Sequence, residues 1–228
     1  MNRLSAQTTT GLLFSGGLDS AILLGRLVTR GARVQPFYVD SGLVWQADEL
    51  RFGRKFLQAV ARPELQPLVV LDLPLRDLYA GHWSLTGDET PGESSPDEAV
   101  YLPGRNALLA IKAILWCQLH GIRKLALAVL GSSPFADATP EFFAAFAAAL
   151  DRACGVRVEI LAPFSGLVKR EVMDLGRRLP LQFTFSCIAP QDGLHCGRCN
   201  KCAERRKAFT TAGTGDPTRY AATTPLLL

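Results

Sequence analysis

The run Phe14-Ser15-Gly16-Gly17-Leu18-Asp19-Ser20 lies between an apolar stretch of strand character, Thr10 to Phe14, and one of helical character, Ser20 to Arg30. Few arrangements suit it besides a strand, a tight turn and a helix. Two adjacent glycines let the backbone turn sharply and bring main-chain N–H groups up to an anion with no Cβ in the way. Ser15 and Ser20 add hydroxyl donors on either side. At the start of the following helix, unsatisfied N–H groups and the helix dipole favour a phosphate. Asp19 repels that phosphate unless a divalent cation stands between them, which points to Mg²⁺ bridging carboxylate and phosphate oxygens. The bland alternative is a Gly-Gly turn with Asp19 and Ser20 as helix caps. The full Ser-Gly-Gly-x-Asp-Ser string after an apolar strand favours the phosphate cradle.

Further along, short β-rich runs alternate with helical patterns. Strands are expected at Arg33 to Asp40, Pro67 to Leu73, Lys124 to Leu130 and Val156 to Leu161, and helices at Trp45 to Val60, Asn106 to His120, Pro140 to Arg152 and Val168 to Arg178. Repeated βα units imply an α/β fold, a Rossmann-like doubly wound parallel sheet whose ligands collect beyond the carboxyl ends of the strands. Residues 1–180 are expected to form this domain, and 181–228 a small C-terminal module and tail. With 228 residues the chain is long enough to bury a real core. No charged-then-apolar leader and no apolar run of about 18 residues is found, so a cytoplasmic, membrane-free protein is expected. A net charge of +4 is compatible with a nucleotide and too small to argue for nucleic acid. The polar, Gly/Pro-rich stretch from Gly81 to Asp97 reads as a mobile loop over the site.

Four of the six cysteines crowd into Cys187-x₈-Cys196-x₂-Cys199-x₂-Cys202. In a reducing compartment that spacing indicates metal rather than disulfides. Four thiolates close a tetrahedron about Zn²⁺ with no position left for water, which reads as a structural zinc ordering a hydrophilic tail. An iron–sulfur cluster also satisfies four cysteines. Cys117 and Cys154 lie in apolar helices and read as core residues, and His195 as a solvent-facing neighbour of Cys196.

The loop from Phe14 to Ser20 resembles the pyrophosphate loop of the N-type ATP pyrophosphatases, the adenine nucleotide alpha hydrolase-like fold; no Gly-Lys-Ser/Thr follows, so it is not a Walker loop. Together with Tyr101-Leu102-Pro103-Gly104-Arg105-Asn106, the stretch Asp137 to Phe142, Pro163 to Glu171, and the cysteine run ending in Phe209, it occurs in the order seen in the 7-cyano-7-deazaguanine synthase family of queuosine biosynthesis. The similarity spans about Leu12 to Phe209. It implies a Mg²⁺- and ATP-dependent ligase that joins 7-carboxy-7-deazaguanine, a deazapurine carboxylic acid, to ammonia, first as an amide and then as a nitrile, with a homodimer as the assembly. In that reading Phe14, Ser15, Gly16, Gly17, Leu18, Asp19 and Ser20 hold ATP, and Asp40 lies where adenosine is held. Asp19, Arg105 and Lys169 serve catalysis, the two cations by stabilising charge on the α-phosphate. Arg105, Asn106 and Asp137 bind the acid, Asp137 through the amino-pyrimidinone edge. Cys187, Cys196, Cys199 and Cys202 hold zinc. Helix-entry, cap and loop roles are the plain alternatives for Arg105, Lys169, Asn106, Asp137 and Asp40.

Two segments depart from the family pattern. Val39 to Trp45 replaces an aromatic-Gly-Gln-Arg-His run, and Gly131 to Asp137 is shorter and lacks an aspartate and a Tyr-Pro pair. Both belong to the acceptor side, where a paralogue acting on the same acid would differ. Two other readings remain: a tRNA-modifying pyrophosphatase touching phosphates through Arg198, Lys201, Arg205, Arg206 and Lys207, and a non-catalytic nucleotide-binding module.

Overall fold

The structure, a computed structural model, describes residues 8–155 and 157–221. Its centre is a parallel five-stranded sheet in the order β3-β2-β1-β4-β5. The strands are β1 (Thr10–Leu13), β2 (Val34–Asp40), β3 (Val69–Asp72), β4 (Lys124–Ala126) and β5 (Glu159–Leu161). Helix α1 (Leu18–Thr29) leads from β1 to β2, and α2 (Gln46–Ala59) from β2 to β3. A short turn of helix, α3 (Trp83–Thr86), precedes α4 (Arg105–Leu119), and α5 (Pro140–Cys154) connects β4 to β5. Helices α6 (Lys169–Leu175) and α7 (Asn200–Thr211) complete the described chain.

The sheet separates two apolar layers. On one face Leu12, Phe14, the buried side of α1, Phe56 of α2 and Val172 and Met173 of α6 pack together. On the other, Phe37 and Leu125 meet Ala110, Ala113, Ile114 and Cys117 of α4 and Phe143 of α5. Burying such side chains is worth roughly 1.5–3 kcal/mol each. Gly11 has to be glycine for this packing, since a Cβ there would come within 2.8 Å of both Cys117 Sγ and the Phe37 ring. Cys117 is therefore a core residue as expected, and burial pushes its thiol up to about 12; Cys154 is only half-buried, at the end of α5.

The strands after β3 are shorter than the apolar runs imply. Residues 124–126 pair with β5, and Leu125 and Ala126 also with β1, whereas the expected run to Leu130 leaves the sheet to line the cavity. The expected start of β5 at residue 156 lies outside the described residues. Helix α5 opens on Pro140 with Thr139 Oγ1 accepting from Phe142 N at 3.1 Å, a capped start of the usual kind. Ala208, Phe209 and Ala212 of α7 belong to the same apolar layer as α1, so the C-terminal segment is seated on the α/β core.

The stretch from Gly81 to Asp97 differs from a free loop. Trp83 stacks on Trp45 with ring centroids 5.7 Å apart, and Val44 N donates to Ser84 O. At its other end Asn200 Nδ2 donates to Ser95 O at 2.8 Å, Arg206 pairs with Glu93 at 2.9 Å, and Gly92 bridges to Cys199. It is a strap fastened to the second loop and to the cysteine segment, and Asp97 alone of its residues lines the cavity.

Candidate active site

In this strand order the chain reverses direction between β1 and β4, and open α/β sheets bind ligands at such a point. A cavity of about 820 Å³ opens there, lined by the loop after β1, the ends of β2 and β4, and parts of α2, α4, α6 and α7.

At one end stands the phosphate loop. Gly16 has φ +76°, a conformation that favours glycine, and a Cβ on it would come tightly within 3.2 Å of Glu49 O. Gly17 caps α1, Gly17 N donates to Ser15 Oγ, and Ser15 and Ser20 hydroxyls lie 3.0 Å apart across the turn. Phe185 N donates to Gly16 O at 2.8 Å, tying the loop to the segment that carries the cysteines. Asp19 lies in the first turn of α1, and Lys169 Nζ donates to its two oxygens at 2.9 and 2.8 Å. Lys169 also lies 3.4 Å from Glu204, whose other oxygen takes Lys201 at 2.7 Å. Burial opposes the Lys169 charge, but Asp19 and Glu204 outweigh it and hold its pKa above the ordinary lysine value. Two residues 150 positions apart thus meet at the phosphate loop.

Arg105 and Asn106 line the cavity from the start of α4, which packs on the face of the sheet opposite α1, α6 and α7. Gly104 turns left-handed at φ +71° to start α4, and Tyr79 Oη donates to Pro103 O at 2.6 Å, fixing the turn that presents Arg105. The Arg105 guanidinium lies 5.8 Å from the Trp45 ring centroid and donates to no acceptor among the described residues. Asn106 is in the first turn of α4, not its cap. Its N and Nδ2 donate to the two oxygens of Asp137 at 3.0 and 3.2 Å, so Asp137 anchors the start of α4 from across the chain. Asp137 is buried and does not line the cavity. Nor does Asp40, whose Oδ1 accepts from Gly42 N at 3.0 Å in a local turn. The departing segment 39–45 is shaped by Gln46, whose Oε1 accepts from Ser41 N and Leu43 N while its Nε2 donates to Val39 O.

Cys187, Cys196, Cys199 and Cys202 are all buried, with their sulfurs within 4.8 Å of one another. The Cys187–Cys199 and Cys196–Cys202 separations are both 3.9 Å, close to the edge of about 3.8 Å for a tetrahedron with metal–sulfur bonds of about 2.3 Å. A multi-iron cluster would spread the sulfurs over several metal atoms. Main-chain N–H groups of Ala189, Cys196, Arg198 and Cys199 point at Cys187 and Cys196 sulfurs, as thiolates require. The donor set fits one structural zinc. His195 is not solvent-facing: it is 2% exposed, its Nε2 accepts from Ser186 N at 3.2 Å, and burial with the nearby Arg205 charge lowers its pKa to about 3.

Several site residues escape sequence reasoning. Arg205, read as part of a solvated basic tail, is 1% exposed and donates to Leu181 O, Thr184 Oγ1, Ser186 Oγ and Thr218 Oγ1, knitting the C-terminal segment together. Its neighbours Lys201 and Arg206 are paired with Glu204 and Glu93. Glu49 lines the cavity while only 8% exposed, with Oε2 accepting from Tyr38 Oη at 2.8 Å. Burial pushes its pKa up to about 7 against the pull of the Arg105 charge and the Tyr38 hydroxyl. The signal was present: Trp45, Glu49, Phe52 and Phe56 share one helical face, so an acid sits in an apolar stripe.

Among the described residues no helix is long and apolar enough to cross a membrane. The family model described as queuosine biosynthesis protein QueC matches residues 10–213. The 7-cyano-7-deazaguanine synthase of Solidesulfovibrio magneticus is 35% identical over 92% of this chain and 94% of its own length. That of Leptospira interrogans is 30% identical over 93% of this chain and 90% of its own. Among solved structures, a 4-thiouridine synthetase–RNA complex with bound ATP aligns at a TM-score of 0.49 and 16% identity, covering 90% of this chain and 50% of that one. With its phosphate loop, its parallel sheet and its closed cysteine tetrahedron, the chain belongs to the QueC family of ATP-dependent ligases.

Proposed function

We propose that this protein adenylates 7-carboxy-7-deazaguanine and condenses it with ammonia, giving the amide and, with a second ATP, the nitrile. One observation carries the reading. A single cavity has an acid–lysine pair on a phosphate loop at one end and an arginine with an uncommitted guanidinium at the other. That is what joining a nucleotide to a carboxylate demands.

A carboxylate is a poor electrophile, and transfer to the α-phosphorus gives it AMP as a leaving group. The loop N–H groups and the Ser15 and Ser20 hydroxyls face the phosphates. Asp19 would hold Mg²⁺, which neutralises phosphate charge when bound. Lys169, poised on Asp19 and kept protonated by two acids, supplies positive charge as the α-phosphate gains negative charge. Arg105 pairs with the acid's carboxylate. Asn106, oriented by Asp137, presents its amide oxygen to the heterocycle. No cysteine lines the cavity among the described residues, which favours direct attack by ammonia over a covalent thioester. The same observation speaks against sulfur transfer from a protein thiol to a tRNA base.

The test is a mass-spectrometric assay with ATP, Mg²⁺, ammonium and 7-carboxy-7-deazaguanine. AMP together with the nitrile is the expected result. AMP with the amide alone would mark a paralogue whose second step is diverted. Absence of AMP would mean that segments 39–45 and 131–137 have changed the acid accepted.

A further inference from the structure

Ammonia in neutral solution is almost entirely ammonium, a cation without a lone pair to attack with. A ligase that uses it directly needs a group that attracts the cation and removes a proton beside the electrophile. Among the described residues four acids line the cavity, and three of them are unsuited. Asp19 and Glu204 are engaged by Lys169 and Lys201, and Asp97 is exposed on the strap, where Asn200 Nδ2 lies 3.4 Å away. Glu49 is the fourth. It is more than nine-tenths buried, it has no lysine or arginine within ion-pair distance among the described residues, and only its Oε2 is bonded, to Tyr38 Oη.

From this geometry we infer that Glu49 Oε1 receives ammonium inside the cavity and takes its proton, so that neutral ammonia is released beside the activated carboxyl group. The inference rests on the ligase reading above and adds to it the residue that prepares the nucleophile. Position supports it. The Glu49 main chain packs against Gly16 of the phosphate loop, and Arg105, the proposed carboxylate clamp, is the cation that acts on Glu49 electrostatically from α4. The acid's carboxyl carbon, held between loop and clamp, is thereby flanked by Glu49. The charged and titratable groups facing Glu49 are Tyr38 from β2 and Arg105 from α4. Its upward-shifted pKa suits a base that must be regenerated near neutrality.

The step balances. An N–H bond of ammonium breaks and an O–H bond forms at Glu49 Oε1. The freed lone pair attacks the carboxyl carbon, and the C–O bond to AMP breaks with its electrons leaving on AMP. The second surplus proton on nitrogen passes to water, as does the proton on Glu49 before the next turnover.

Glu49→Gln tests this, since the amide keeps the Tyr38 contact and the shape of the wall while removing the base. Hydroxylamine provides the second arm: its conjugate acid is far more acidic than ammonium, so at neutral pH it arrives with its lone pair free. With wild-type protein, both nucleophiles should give acylated product and AMP. With E49Q the ammonium-dependent kcat/KM should fall about 10²- to 10³-fold, in the range of a lost general base, while hydroxylamine-dependent turnover stays within a few-fold of wild type. Equal loss with both nucleophiles would overturn the inference, because Glu49 would then act only by holding the wall together. Undiminished ammonium turnover in E49Q would overturn it as well. If wild-type protein released no AMP with this acid under either nucleophile, the acid proposed above would be the wrong one, and the inference would fall with it.

Discussion

The two ends of the cavity handle charge in opposite ways. At the phosphate end, Asp19, Lys169, Glu204 and Lys201 alternate in sign and touch in sequence, so each of these four charges is compensated before substrate arrives. At the acceptor end, Arg105 makes no ion pair, and Glu49 shares one hydroxyl hydrogen bond and nothing else among the described residues. A compensated cluster resists changes of pH and is ready to exchange one partner for a phosphate or a metal. A buried acid without an ion-pair partner, such as Glu49, is costly to hold, and such perturbed groups cluster where a ligand completes them. The phosphate end is thus a standing device for an invariant cosubstrate, and the acceptor end is finished only by the molecule it binds.

The largest effect is expected where both ends are lost together. The cysteine segment supplies Phe185 N to the phosphate loop and Cys199 and Asn200 to the strap that leans on Trp45. Cys199→Ser, or stripping the metal with a strong chelator, should therefore abolish ATP binding and acid binding alike. Zinc content, circular dichroism and ATP titration on the same sample check it; ATP binding that survives metal loss would separate the loop from the cysteine segment.

Lys169→Ala breaks only the phosphate end. Loss of a charge aimed at a developing oxyanion costs about 10²- to 10³-fold in turnover, and AMP formation should drop by that amount with either nucleophile. Arg105→Ala breaks only the acceptor end. A charge-assisted hydrogen bond to a carboxylate is worth about 1.5–3 kcal/mol, so KM for the acid should rise roughly 10- to 100-fold while KM for ATP is unchanged. A rise in both constants would show that the two ends are not independent.

What could be read from the sequence follows the same division. The phosphate loop and the cysteine run are contiguous strings whose chemistry is local, and the four cysteines stand together as their spacing implies; the meeting of Asp19 with Lys169, 150 residues away, is not in any spacing. The acceptor wall is assembled from β2, α2, α4 and the loop after β4, and no short window contains it. Asp137 looked like a loop acid able to meet a heterocycle because its partner, Asn106, lies 31 residues away. Arg205 and His195 looked exposed because the tail is hydrophilic. Their burial is possible only since Leu181 O, Thr184, Ser186 and Thr218 satisfy the arginine and Ser186 N meets the neutral histidine ring. Glu49 was visible only as a break in an apolar helical stripe, a pattern that marks a position as unusual without saying for what.

The smallest effect expected concerns stability, and it separates the ends by pH. Burial raises Glu49 from 4.5 to about 7 in the folded chain. The folded state therefore binds the proton more tightly than the unfolded one. The stability this adds is fully present below about pH 4.5, declines as pH rises, and is gone above about pH 7. The whole swing is on the order of 3 kcal/mol. The amide introduced by Glu49→Gln carries no proton to lose, so E49Q should match wild type in acid and melt roughly 6–12 °C higher at pH 8, from about 2–4 °C per kcal/mol for a chain of this size. Thermal melts of both proteins from pH 5 to pH 8 check the sign. The substitution would then raise stability and lower ammonium-dependent activity together, the pattern of a group kept for its chemistry at the expense of the fold. If the two melting curves ran parallel across that range, Glu49 would have to be ionised at an ordinary carboxylate pKa, and the acceptor end would be as well compensated as the phosphate end.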